Sequence, residues 1–203
     1  MGLGFIMIFN FENKTLQVKL VYYGPAMSGK TTSIKKLFSY YNRENTLKSI
    51  DSSIGRTLFF DFGVLQFKGK EWGLKLLIYS VTGQDFYAST RPATLNGVDG
   101  IIFIADSQFE YLEQNLRSWK ELKTLFDSAI YSIPIVISLN KYDLHNSKKV
   151  EGEEFLSYID HDKFKQLSLK KTVALKGEGV LDSFNQLLKF IFPEVEINFN
   201  YLI

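Results

Sequence analysis

The sequence predicts an α/β fold: a mostly parallel β-sheet covered by helices on both faces, three layers in the order α/β/α. Two observations carry this. Short apolar runs alternate with amphipathic segments along the chain; the run at 101–105 is apolar throughout, as a strand buried on both faces is, and 134–139 reads as another buried strand. A glycine-rich loop of the form G-x-x-x-x-G-K-[ST] then stands between the first long apolar run and the first amphipathic segment. In open sheets of this kind ligands bind beyond the carboxyl ends of the strands.

The elements follow in order. Residues 5–11 and 16–23 flank the polar turn Glu12-Asn13-Lys14-Thr15 and pair as a hairpin. Residues 33–41 form a helix with Ile34, Leu37 and Phe38 on one face. Residues 43–56 are polar and unpatterned, a loop. Residues 57–67 are a long strand, turned by Lys68-Gly69-Lys70 into a second strand at 73–81. Strands at 101–105 and 134–139 bracket a helix at 114–126, which carries Leu116, Trp119, Leu122, Leu125 and Phe126 at helical spacing. A shorter strand at 169–175 precedes a last helix at 180–192, whose apolar face is Leu181, Phe184, Leu187, Leu188 and Ile191.

Composition narrows the class. The 203 residues suit one domain, 1–203, and at 45% hydrophobic and 23% charged they can bury a core, which excludes disorder as the main state. Lys and Arg number 24 against 22 acidic residues, a net charge of +2 that asks for no nucleic acid. There is no cysteine, hence no disulfide, no thiolate metal site and no Cys nucleophile. The two histidines, His145 and His161, are too few for a His-built zinc site and are read as surface residues. No window reaches the roughly 18 unbroken apolar residues of a spanning helix. Ile6 stands where a myristoylated start needs Ser or Thr, and no terminal cysteine awaits a prenyl group. The expectation is a cytoplasmic protein without a lipid anchor.

The loop Gly24-Pro25-Ala26-Met27-Ser28-Gly29-Lys30-Thr31-Thr32 is a phosphate cradle. Its glycines let the backbone curl so that N–H groups converge on phosphate oxygens, and the following helix adds its positive end. Lys30 is placed to reach the β- and γ-phosphates and the Thr31 hydroxyl to ligate Mg²⁺. The candidate contacts are Gly24, Ala26, Met27, Ser28, Gly29, Lys30, Thr31 and Thr32.

After the strand at 134–139 comes Asn140-Lys141-Tyr142-Asp143. N-K-x-D in such a protein selects guanine, because the Asp143 carboxylate accepts from the ring N–H and the exocyclic amino group together. Adenine offers no such pair, and buried acceptors left unpaired reject it. Lys141 lays its stem along the base, and Asn140 ties this loop to the others. At the end of the next strand, Val173-Ala174-Leu175, the Ala174 N–H is placed to donate to the guanine carbonyl, with Leu175 beside it.

Two further segments answer to the γ-phosphate. Thr57, ending the loop at 43–56, is the candidate second hydroxyl on Mg²⁺, with Thr46 a weaker alternative. In Ser80-Val81-Thr82-Gly83-Gln84 the Gly83 N–H would sense the γ-phosphate and Gln84 would orient the attacking water.

With these residues in view, the chain resembles the MglA family of bacterial Ras-like GTPases. The resemblance rests on Val21-Tyr22-Tyr23-Gly24-Pro25, Ser28-Gly29-Lys30-Thr31-Thr32, Arg56-Thr57-Leu58-Phe59-Phe60-Asp61-Phe62, Val81-Thr82-Gly83-Gln84, Phe86-Tyr87, Gly97-Val98-Asp99-Gly100, Ala105-Asp106-Ser107-Gln108, Asn140-Lys141-Tyr142-Asp143 and Gly177-Glu178-Gly179-Val180. It implies a P-loop, small-GTPase fold with an extra N-terminal strand, which suits 5–11. It implies a GTP-hydrolysing switch in cell polarity and gliding motility, recruited to a cell pole, with Arg56 as an intrinsic arginine finger. It also implies effectors and a dimeric roadblock-fold activator, MglB. Two departures stand out. Ser80 replaces the aspartate of Ras-like proteins, where this family usually has threonine, so the metal site has one charge fewer. Ala26 replaces a favoured glycine, its methyl directed at the γ-phosphate region. They favour an alternative, a GTP-binding scaffold that hydrolyses poorly and signals by occupancy alone.

Overall fold

The computed structural model describes residues 7–51, 57–69, 71–81, 91–144 and 147–193. The strands among them are β1 (Ile8–Asn10), β2 (Thr15–Tyr23), β3 (Lys48–Asp51), β4 (Thr57–Lys68), β5 (Gly73–Ser80), β6 (Gly100–Asp106), β7 (Ile135–Asn140) and β8 (Leu167–Lys171). They form one sheet in the order β3-β4-β5-β2-β6-β7-β8. The strands from β5 to β8 in that order are parallel, with β2 between β5 and β6, while β3 and β4 join antiparallel at one edge. β1 pairs antiparallel with the start of β2, Ile8 opposite Gln17 and Asn10 opposite Thr15, so the hairpin expected at 5–11 and 16–23 is present over its described part.

Side-chain alternation explains the layers. In β6, Ile101, Phe103 and Ala105 enter one core while Ile102 and Ile104 enter the other, which is why the run reads as apolar without a break. The helices are α1 (Lys30–Tyr40), α2 (Arg91–Leu95), α3 (Leu112–Phe126), α4 (Gly152–Ser157) and α5 (Val180–Ile191). Ile34, Leu37 and Phe38 of α1 and Phe184, Leu187 and Leu188 of α5 fill the core on one face. Leu95 of α2, Trp119 and Leu122 of α3 and Phe155 of α4 fill the other. Each such side chain contributes on the order of 1.5–3 kcal/mol by leaving water. Among the described residues no helix is long and apolar enough to cross a membrane.

Two expectations are corrected. The stretch 43–56 is not all loop: a one-turn helix at Glu44–Thr46 is followed by the edge strand β3. Strand β3 is four residues long and polar at Lys48, Ser49 and Asp51, so only its pairing with β4 reveals it. The strand placed at 169–175 lies earlier. β8 ends at Lys171, and the Thr172 N–H makes the last bond to the Leu139 carbonyl. Val173 then bridges Glu178, so Val173-Ala174-Leu175 belong to a loop that closes on itself. α2 and α4, five and six residues long, went unforeseen because such short helices show no period.

Candidate nucleotide-binding site

The loop from β2 to α1 curls at the carboxyl end of the sheet. Gly24 has φ 139° and Gly29 φ 107°, conformations that L side chains rarely adopt. A Cβ on Gly24 would lie 2.1 Å from the Ile104 carbonyl oxygen, and one on Gly29 would lie 2.1 Å from Asn140 Nδ2. Conformation and space thus both demand the motif glycines. Met27, exposed at the loop tip with Ala26, also has a positive φ of 62°. Ser28 is buried, and Thr31 and Thr32 are half-buried in the first turn of α1. Lys30 is buried, its Nζ donating to the carbonyls of Gly24 (2.9 Å) and Pro25 (2.6 Å). The ammonium therefore sits within the curl, at the positive end of the helix.

One side chain joins this loop to the others. Asn140, buried at the end of β7, donates through Nδ2 to the Ser28 carbonyl at 2.8 Å. Its Oδ1 accepts from the Ala174 N–H at 2.9 Å and from the Thr172 hydroxyl at 3.3 Å. The Ala174 N–H, expected to face the guanine carbonyl, is thus engaged by Asn140 and braces the loop. Leu175 beside it is 76% exposed.

Asp143 lies 3.1 Å from Lys176, whose hydrogen bond outweighs desolvation and holds the carboxyl below its ordinary range, so it is an ionised acceptor at neutral pH. Lys141 reaches back to Asp106 at 2.6 Å. Between them the Tyr142 hydroxyl lies 2.6 Å from both Glu151 carboxylate oxygens, and its ring has Lys171 Nζ at 4.3 Å and Lys149 Nζ at 4.5 Å. Lys171 also pairs with Glu151 at 2.8 Å. Sequence reasoning missed the Asp106 and Tyr142 contacts. The string Ala105-Asp106-Ser107-Gln108 gave a local hint of the first, whereas the second joins segments far apart in the chain.

The switch residues are placed less fully. Thr57 opens β4, but its side chain, Arg56, Gly83 and Gln84 lie outside the described residues. Thr46 donates its hydroxyl to the Arg43 carbonyl at 2.8 Å, within the one-turn helix. Ser80 is buried as the last residue of β5, opposite Tyr22. Among the described residues no three His, Cys, Asp or Glu converge on a metal position. A hard cation shared with phosphates needs few protein oxygens, and the half-buried Thr31 next to Lys30 fits that donor set.

A model of the ADP-ribosylation factor family matches residues 5–191. Over 194 residues the chain is 36% identical to the mutual gliding-motility protein MglA of Myxococcus xanthus (strain DK1622), spanning 92% of this chain and 96% of that protein. It is 25% identical over 202 residues to DnaJ homolog subfamily C member 27 of Danio rerio, spanning 93% of this chain and 70% of that protein. With the Ras-related protein Rab-5A of Dictyostelium discoideum identity is 26% over 180 residues, spanning 89% and 83% respectively.

Proposed function

The chain belongs to the ADP-ribosylation factor family of small GTPases and is MglA-like, binding GTP and hydrolysing it as a molecular switch; we propose that the loop at 24–32 holds the phosphates and that Asn140, Lys141 and Asp143 hold guanine. The observation that carries this assignment is the bridging of the two loops by Asn140. Binding phosphate on one loop and base on the other requires the two at a fixed separation, and this side chain fixes it.

In this reading the backbone N–H groups of the phosphate loop and Lys30 bind the β- and γ-phosphates. The hydroxyls of Thr31 and Thr57 hold Mg²⁺, which when bound offsets phosphate charge. The Gly83 N–H senses the γ-phosphate, Gln84 orients water and Arg56 neutralises charge in the transition state. Ala174 and Leu175 close the base side. A dimeric roadblock-fold activator of the MglB type and separate effectors complete the cycle, in the cytoplasm and at a cell pole, in the service of polarity or gliding. Family membership favours this switch over a poorly hydrolysing scaffold.

The test is competition for labelled GDP, followed by single-turnover hydrolysis. GTP and GDP should displace the label and ATP should do so orders of magnitude more weakly, since a site built for donor groups rejects a base that lacks them by roughly 10⁴ or more. Equal displacement by ATP and GTP overturns the base assignment.

A further inference from the structure

We propose that Asp106 is a positioning residue for base recognition: its buried carboxylate anchors the Lys141 ammonium, so that the lysine stem is set for the face of guanine before nucleotide arrives. The inference rests on the base site assigned above and adds a residue to it.

Asp106 ends β6, next to β7, and is 3% exposed. Its Oδ2 lies 2.6 Å from Lys141 Nζ. Its Oδ1 accepts from the Gln108 N–H at 3.1 Å and from Gln108 Nε2 at 3.0 Å. The backbone is fixed as well: the wholly buried Asn115 side chain receives the Asp106 N–H at 3.0 Å and donates to its carbonyl at 2.8 Å. A carboxylate this buried is costly unless paired, and Lys141 is its ion partner. The Tyr111 ring, 5.5 Å from the ammonium, adds a cation–π contact.

Two consequences follow for the base. A lysine stem moves freely in water, and pinning its far end removes that freedom ahead of binding. Lys141 also stands two positions before Asp143, and its tie to Asp106 directs its ammonium away from that carboxylate. The structure gives each charge a separate partner, Asp106 for Lys141 and Lys176 for Asp143.

A double-mutant cycle on the full chain tests this, read as dissociation rates of fluorescent GDP and GTP. Asp106→Asn keeps size and hydrogen bonding but loses the charge. It should speed release of both nucleotides by the same factor, roughly threefold to a hundredfold, the range that contacting residues span. In a Lys141→Ala background the same change should have less than about a twofold effect, because its route is gone. Lys141→Met, which keeps the stem and loses the anchor at a partly exposed position, should release nucleotide as Asp106→Asn does, and it decides the question alone if Asp106→Asn does not fold. Unchanged release in these variants overturns the proposal. So does an equal effect of Asp106→Asn in both backgrounds, the mark of a merely structural role, or an effect on GTP and not GDP. If the parent chain binds no guanine nucleotide, the base-site reading fails first, and the proposal with it.

Discussion

Lys30 is a buried cation whose described hydrogen bonds go to two carbonyls of its own loop. Phosphate oxygens carry more charge than carbonyls, so a phosphate entering the curl takes the ammonium at little cost in desolvation. Lys30→Ala should abolish tight GTP binding, whereas Thr31→Ala should mainly remove the part that depends on Mg²⁺. Titrations with Mg²⁺ and with a chelator distinguish the two, and parental binding by both variants would remove the phosphate-loop assignment. These residues were legible in the sequence because G-x-x-x-x-G-K-T and N-K-x-D are local patterns with a mechanical reason for each position. The pairing of Lys176 with Asp143 was not, since the partners are far apart in the chain and no periodic trace links them. The same holds for Ala174, whose N–H turned out to serve Asn140.

Between elements, long-range side chains do the joining. Asn140→Ala would leave the Ser28 carbonyl and the Ala174 N–H without their buried partner, at about 1–3 kcal/mol each. Both stability and nucleotide affinity should fall. A variant with lowered melting temperature and parental GDP affinity would show that the bridge is not what sets the loop separation. On the other flank Asp160 receives hydrogen bonds from Lys123 of α3 and from Tyr131. Burial alone would raise its carboxyl, but these partners outweigh it and bring the value down to about 2 from the ordinary 3.8. A depressed carboxyl stabilises the fold fully above its unfolded value and loses that contribution as pH falls through the folded one. The melting-temperature gap between the parent and Asp160→Asn should therefore be constant above about pH 4 and shrink towards pH 2. A gap that persists at pH 2 would rule out the carboxylate pair as its source. Elements were readable to the extent that burial is periodic: β6, β7 and α5 declare themselves, whereas β3 has a ladder and no pattern.

For the molecule as a whole, β2 and β7 run parallel in the sheet and so place the phosphate loop and the base loop at one end, and we propose that the rate of the cycle depends on how the switch segments close. Hydrolysis needs a positioned water and positive charge on the transition state. Gln84 is assigned the first task and Arg56 the second. Arg56 directly precedes Thr57, the first residue of β4, and in the proposed reading its charge reaches the phosphates when the segment leading into β4 closes. An activator that holds that segment shut then needs no arginine of its own. Intrinsic turnover should be slow and a roadblock-type dimer should accelerate it. Arg56→Ala and Gln84→Ala should each remove most of the acceleration, on the order of tenfold or more, while GTP binding stays nearly intact, because both groups act on charge and water that appear only in the transition state. Single-turnover assays with and without the dimer measure this. Full stimulation of Arg56→Ala would make Arg56 an ordinary loop charge and shift the search for the transition-state cation to the activator.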